Sequence, residues 1–380
     1  MNKTNTPIIE IHGTGIHNRG AELMAIAISE KIKAVYPHAK IVVPSTFGFP
    51  ADIKRYGFYV IPELYVKNKR NIAFYLANIF FGKKINSKKI DLILDASGFA
   101  FSDQWSELYS DILLNKANKS NRKNKPLVLL PQALGPFENE KVKSSVKGLF
   151  NRAKVVCARD DESYKYASDV ISDLSKLKKF PDFTIQVSAL ADKSIVLPQK
   201  YVAIVPNIRM TDKTNNKNDY INFVRESIDY IKTQGIEPLF IIHDAKEDHK
   251  IVDMLGDGYT RIKVIKHDDP RVLKYILGKA EFVIASRFHA LVSAMSQGVP
   301  CVGAGWSHKY PELFKDFNNI ENLQTDLSDT KKLYEILEKL CNHEYRENKS
   351  REIISAKKEL EIKLNQMWDL IFNEINLIKN

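Results

Sequence analysis

Phe282-Val283-Ile284-Ala285-Ser286-Arg287-Phe288-His289-Ala290-Leu291-Val292-Ser293-Ala294-Met295-Ser296-Gln297-Gly298-Val299-Pro300-Cys301-Val302-Gly303 parses as one supersecondary unit: an apolar run, a turn, a helix, a glycine stop and a second apolar run. A short apolar run bounded by turn residues and followed by helical spacing marks a buried strand of a parallel sheet, because helices cover both of its faces. Arg287 and His289 therefore sit where the carboxyl end of a strand meets a helix amino terminus. Open α/β sheets bind ligands there, and the free backbone N–H groups of the helix favour anions. An arginine holds a carboxylate or phosphate through two parallel hydrogen bonds, and a histidine exchanges protons near neutral pH. The competing reading has Arg287 capping neighbouring carbonyls and His289 satisfied in a core.

Working outward, the same alternation recurs. Strands are expected at Tyr201 to Val205, Pro238 to Ile242, Ile262 to Ile265, Phe282 to Ala285 and Cys301 to Val302, with helices at Asp219 to Thr233, Lys246 to Leu255, Pro270 to Leu277 and Phe288 to Ser296. Pro270 after Asp269 is an N-terminal helix signature. Before Leu197-Pro198-Gln199-Lys200 the pattern has already run once, with strands at Ile8 to Ile11, Lys40 to Val43, Asp91 to Leu94, Leu127 to Leu130 and Lys154 to Cys157. The expectation is an α/β protein of two Rossmann-like, doubly wound parallel-sheet domains facing across a cleft, residues 1–196 and 197–328. Residues 329–380 read as C-terminal helices with apolar positions at Ile353, Leu360, Leu364, Trp368, Ile371 and Ile375, packing back across the first domain or mediating a homo-oligomer.

Bulk properties agree. A chain of 380 residues exceeds what one core usually supports. Hydrophobic residues at 44% and charged residues at 27% are ordinary for a globular protein. The three cysteines, Cys157, Cys301 and Cys341, have neither metal-ligand nor disulfide-framework spacing, and the amino terminus lacks a signal-peptide pattern. A soluble, cytoplasmic protein is expected. The net charge of +11 points to a polyanionic partner, and much of the excess lies between Lys54 and Ile90, where Glu63 is the only acid. Nucleic acid is not expected, for want of a zinc-finger, helix-turn-helix or RNA-recognition signature. Within that basic region, Lys67 to Lys84 is an apolar, aromatic segment between basic clusters. It suits a helix lying on an anionic bilayer at the inner membrane face, and equally a buried helix with basic ends.

Four further places carry candidate chemistry. Gly13-Thr14-Gly15-Ile16-His17-Asn18-Arg19-Gly20 follows a strand and opens a helix, so its glycines permit close approach of a ligand, although their spacing is not a dinucleotide fingerprint. Asn18 serves there as a ligand contact or as a helix cap. Asn207 and Arg209 follow the first strand of the second half, and His308 and Lys309 follow the last; Lys309 suits a phosphate, and the surface salt-bridge or solvated-lysine roles are the alternatives. His243-Asp244-Ala245-Lys246-Glu247-Asp248-His249 invites a metal reading but lacks ligand spacing, so no metal site is expected and Asp244 is read as a helix cap.

Ser286-Arg287-Phe288-His289 running into Gly298-Val299-Pro300 and Lys309 resembles the most recognisable stretch of the polysaccharide pyruvyl transferases. Asn18-Arg19-Gly20-Ala21-Glu22, Gln132-Ala133-Leu134-Gly135-Pro136 and Ala158-Arg159-Asp160-Asp161-Glu162-Ser163 match the family in order, so the resemblance spans Gly13 to Lys309. One departure is Asp95-Ala96-Ser97-Gly98, where family members often carry a glycine pair. The resemblance implies a GT-B-like fold and transfer of the enolpyruvyl unit of phosphoenolpyruvate to a sugar or lipid-linked oligosaccharide as a ketal. Phosphoenolpyruvate is then a co-substrate, and no cofactor is expected. Carried onto this chain, the catalytic residues are His289, Arg287 and Arg209, and the substrate-binding ones Asn18, Arg19, Gly20, Asn207, Ser286, His308, Lys309 and Gln132, with the acceptor on the first domain. The rival enzyme reading is a GT-B glycosyltransferase with a nucleotide-sugar donor, since a fold does not determine its chemistry.

Overall fold

Strand-forming runs such as Ile8–His12 and Tyr201–Val205 are buried almost throughout. That is the signature of strands covered on both faces. The computed structural model describes residues 6–63, 69–119, 122–213, 217–244 and 247–379, without the side chains of residues 69, 70, 213 and 379. Its contacts divide the chain into two units: residues 1–17, 24–183 and 362–380 form the first, and residues 18–23 and 184–361 the second.

The first unit is built on a seven-stranded sheet of β1 (Ile8–His12), β2 (Lys40–Pro44), β3 (Tyr59–Ile61), β4 (Leu92–Asp95), β5 (Leu127–Gln132), β6 (Val155–Ala158) and β7 (Leu177–Lys179). Their order is β3-β2-β1-β4-β5-β6-β7, and every pairing is parallel. The second unit repeats the plan with β8 (Tyr201–Val205), β9 (Glu237–Ile241), β10 (Val264–Ile265), β11 (Val283–Ala285), β12 (Cys301–Ala304) and β13 (Leu323–Gln324), in the parallel order β10-β9-β8-β11-β12-β13. In each sheet the chain winds outward from its first strand and then resumes on that strand's other side. The loops after β1 and β4, and after β8 and β11, diverge there and leave room for ligands.

Three strands went unread in the sequence: β3, β7 and β13. All three are sheet edges of two or three residues. Runs this short fall below the length that marks a strand by its pattern, and in β7 the sequence Leu177-Lys178-Lys179 carries no apolar run either. The other boundaries move by one or two residues, as helix and strand ends do. The exception is the helix expected from Lys246, which runs His249–Met254, with residues 245 and 246 outside the described ones.

The helix Pro270–Leu277 starts where its signature placed it, with the Asp269 side chain accepting the Arg271 N–H at 2.9 Å. The tail forms two helices, Thr330–Cys341 and His343–Lys379. Its six anticipated apolar positions, Ile353 to Ile375, are all buried. Residues 362–379 of the long helix belong to the first unit, where Trp368 packs edge-on against Phe183 with ring centroids 6.2 Å apart. Tyr36 donates to Asn376 at 2.6 Å from the same unit.

Among the described residues no helix is long and apolar enough to cross a membrane.

Candidate functional site

The second unit's diverging loops are drawn together by one carboxylate. Asp248 is fully buried, and its oxygens accept the Ile208 N–H at 3.1 Å, the Asp244 N–H at 3.0 Å and Nε of Arg287 at 2.8 Å; Arg287 Nη2 makes a further bond. The loops after β8 and β9 are thus tied to the residue that opens the helix Phe288–Met295 after β11. Burial opposes charge on Arg287, but Asp248 outweighs it and holds the guanidinium's pKa above its usual range. A second brace links the same strand ends: Asn207 Nδ2 and the Tyr310 hydroxyl both donate to the Ser286 carbonyl, at 2.9 Å each. Asn207 and Ser286 are both buried.

Arg287 lies within electrostatic reach of a buried imidazole. His243, two residues beyond β9, is buried, and its Nε2 has no hydrogen-bond partner among the described residues. Burial first, then the charges of Arg287, His289 and Arg19, push its pKa down to about 3. At neutral pH it is an uncharged ring among cationic neighbours.

Arg19 and Gly20 reach the group from the first turn of the helix Arg19–Val35, a turn that belongs to the second unit. The Arg19 N–H donates to the His243 carbonyl at 3.4 Å, and its guanidinium is fixed by Glu22 at 2.6 Å and by the Asp268 carbonyl and carboxylate at 3.0 and 2.9 Å. Gly20 faces His289 so closely that a Cβ there would lie 2.3 Å from Nδ1. Any side chain would displace the imidazole. Asn18 Oδ1 accepts the Gly20 N–H at 2.8 Å, which is the helix-cap role.

Lys309 sits beside this group, its ammonium 5.3 Å from the centroids of Trp306 and Tyr310 and 5.7 Å from that of Phe288. Three ring faces hold the charge in place. Phe288 in turn meets the His289 ring at 5.5 Å. His308 is the residue before the helix Lys309–Asp316. Arg209 is placed differently: its guanidinium is more than half exposed and pairs with Asp212 at 3.4 Å.

Gln132 belongs to the first unit, at the end of β5. Pro131 precedes it in a stretch where the ladder with β6 shifts register. Buried Gln132 donates to Asp95 at 3.1 Å, and Asp95 also accepts the Ser97 hydroxyl at 2.8 Å. Burial raises the Asp95 pKa against those hydrogen bonds. Gly13, at φ +74°, has a Cβ position 2.3 Å from Ser97 Oγ and 2.4 Å from the Ser97 backbone, so the glycine after β1 makes room for the chain after β4.

His243 and Asp248 escaped the sequence reading as site residues. His243 had a usable signal, since it follows a strand end just as Arg209 and Arg287 do. Asp248 had none, because its partner lies 39 residues away. Asp244 is not a helix cap: it accepts the Glu247 N–H at 3.3 Å in the turn ahead of the helix His249–Met254, whose cap position is Asp248.

These features define a two-sheet α/β protein of the GT-B type with a cationic, histidine-bearing group at a strand-end divergence. The profile of the polysaccharide pyruvyl transferases matches residues 18–308, and the chain belongs to that family. A search of curated proteins gives no match. In fold, the chain is similar to the HepE protein of Anabaena in complex with UDP-glucose, at a TM-score of 0.58 and 14% identity over 97% of this chain and 99% of that one. A glycosyltransferase from Rickettsia africae aligns at TM-score 0.58 and 11% identity over 98% and 99% of the two chains. The UDP-GlcNAc 2-epimerase of Methanocaldococcus jannaschii gives 0.56 and 13% over 89% and 93%.

Proposed function

We propose that this transferase moves the enolpyruvyl unit of phosphoenolpyruvate onto two hydroxyls of a sugar, as a cyclic ketal, and releases phosphate. The observation that carries the reading is the convergence of Arg19, His243, Arg287 and His289 at the amino end of one helix, in a chain of the pyruvyl transferase family. Such a group suits a small, multiply charged anion.

Arg287, oriented by Asp248, and Arg19 hold the phosphate and carboxylate, and Lys309 in its aromatic setting adds a third positive charge. Arg209 joins them only by leaving Asp212. His243 is neutral and serves as a hydrogen-bonding wall. His289 is the proton-transfer group, set against Gly20. It delivers a proton to the methylene carbon, which becomes the methyl group, while positive character develops at the adjacent carbon. A sugar hydroxyl forms a C–O bond there and returns its proton to the imidazole. The C–O bond to phosphate then breaks, and a second hydroxyl closes the ring, its proton leaving with phosphate. The acceptor, a sugar or lipid-linked oligosaccharide at the cytoplasmic side, is assigned to the first unit near Gln132 and Asp95.

His289→Ala should lower turnover by about 10² to 10⁴ fold with phosphoenolpyruvate saturating, as for loss of a general acid. Near wild-type turnover would remove His289 from the mechanism. The similarity to HepE in complex with UDP-glucose favours a second reading, glycosyl transfer from a nucleotide sugar. Thermal-shift titration separates the two. Stabilisation by phosphoenolpyruvate and not by UDP supports pyruvyl transfer, and the reverse supports glycosyl transfer.

A further inference from the structure

The helix Lys69–Phe81 is amphipathic in the reverse sense. Its inward positions are Asn71, Phe74 and Asn78, all buried. Asn78 Nδ2 donates to the carbonyls of Ser45 at 3.2 Å, Gly48 at 2.9 Å and Phe74 at 2.9 Å, and the Phe74 ring meets Phe49 edge-on at 4.6 Å. The helix is thus pinned to the first unit largely by amides. Its outward positions are apolar: Ile72, Leu76 and Phe80 recur every fourth residue at 40%, 48% and 73% exposure, and Phe81 is 80% exposed. A helix that buries asparagines and shows phenylalanines to solvent has its apolar face reserved for something else.

The surroundings say what. Lys83 and Lys84 follow the helix after Gly82, Lys88 and Lys89 lie on the next short turn, and Lys54 and Arg55 end the helix Pro50–Arg55 that packs beside it; all six are exposed. The only acid between Lys54 and Ile90, Glu63, is engaged by Arg122 at 3.2 Å. A second copy meeting this face about a two-fold axis would set those cations against themselves. We propose that the outward face of this helix docks on a lipid bilayer bearing anionic headgroups, with Phe80 and Phe81 entering the interface and the lysines reading its charge. Lys67 and Asn68, which the sequence grouped with this segment, lie outside the described residues.

The full-length protein should co-sediment with vesicles of phosphatidylcholine containing phosphatidylglycerol and not with pure phosphatidylcholine, and salt should release it. Phe80→Ser/Phe81→Ser should weaken binding at least tenfold. Lys83→Gln/Lys84→Gln should weaken it by about fivefold per lysine. Both should leave the circular dichroism spectrum and the phosphoenolpyruvate thermal shift unchanged, which separates this proposal from the reading of the reaction. Equal binding to both vesicle types, or unaltered affinity of the phenylalanine variant, overturns it. So does a wild-type dimer that the phenylalanine variant abolishes while no vesicle binds, because that assigns the face to a second copy.

Discussion

His243 shows how a neutral side chain can belong to a cationic group. Its pKa falls from an ordinary 6.5 to about 3, so between those values the unfolded chain binds a proton that the folded chain refuses. Stability linked to this residue is therefore complete above about pH 6.5 and is lost as pH falls through that window. At pH ~5 the loss is about 2 kcal/mol. His243→Gln removes it, so melting temperature should fall less steeply between pH 7 and 5 in the variant than in wild type. Parallel curves would place the acid sensitivity elsewhere, with buried His12 as the next suspect, since burial also lowers its pKa. Arg287 and His289 were legible in the sequence because a strand, a turn and a helix start are local events. Their dependence on Asp248 and Gly20 was not, because those contacts join loops of different strands.

At the scale of elements, a helix start depends on one small residue. Gly20 leaves room for the His289 ring at the start of the helix Phe288–Met295. Gly20→Ala should cost more catalysis than stability: the imidazole must swing away from the added methyl group, and small misplacements at a reacting centre cost on the order of 10² in rate. The checks are turnover and melting temperature measured together. Unchanged turnover would show that His289 does not work from this position. The central strands of both sheets were readable because burial on two faces leaves an apolar run, and Phe282 to Gly303 shows strand, helix and strand in one line. The edges β3, β7 and β13 were not, since two or three residues are too few to show a pattern, and in β7 Lys178 and Lys179 sit where a central strand would carry apolar side chains.

Across the whole molecule, chain order and structural unit diverge twice. Residues 18–23 and 362–380 each belong to the unit opposite to the one their sequence neighbours suggest. Removing residues 362–380 should destabilise the first unit, because Trp368, Ile371 and Ile375 leave its core and Phe183 and Tyr36 lose their partners. Loss of a buried tryptophan alone typically costs about 3–5 kcal/mol. The measurement is denaturant unfolding followed through the first unit, and an unchanged midpoint would mean that the tail contributes nothing there. The tail's helicity and apolar spacing were plain in the sequence. Which unit it serves depends on partners such as Phe183 that are far away in the chain.

The displaced segment 18–23 bears on protein engineering. Anyone exchanging leading halves between relatives to alter which glycan is modified would also transplant Arg19 and Gly20, and with them part of the apparatus proposed for the donor. A chimera that keeps these two residues native to the trailing half should retain whatever binding of the proposed donor the parent shows, whereas a cut at the obvious midpoint risks losing it.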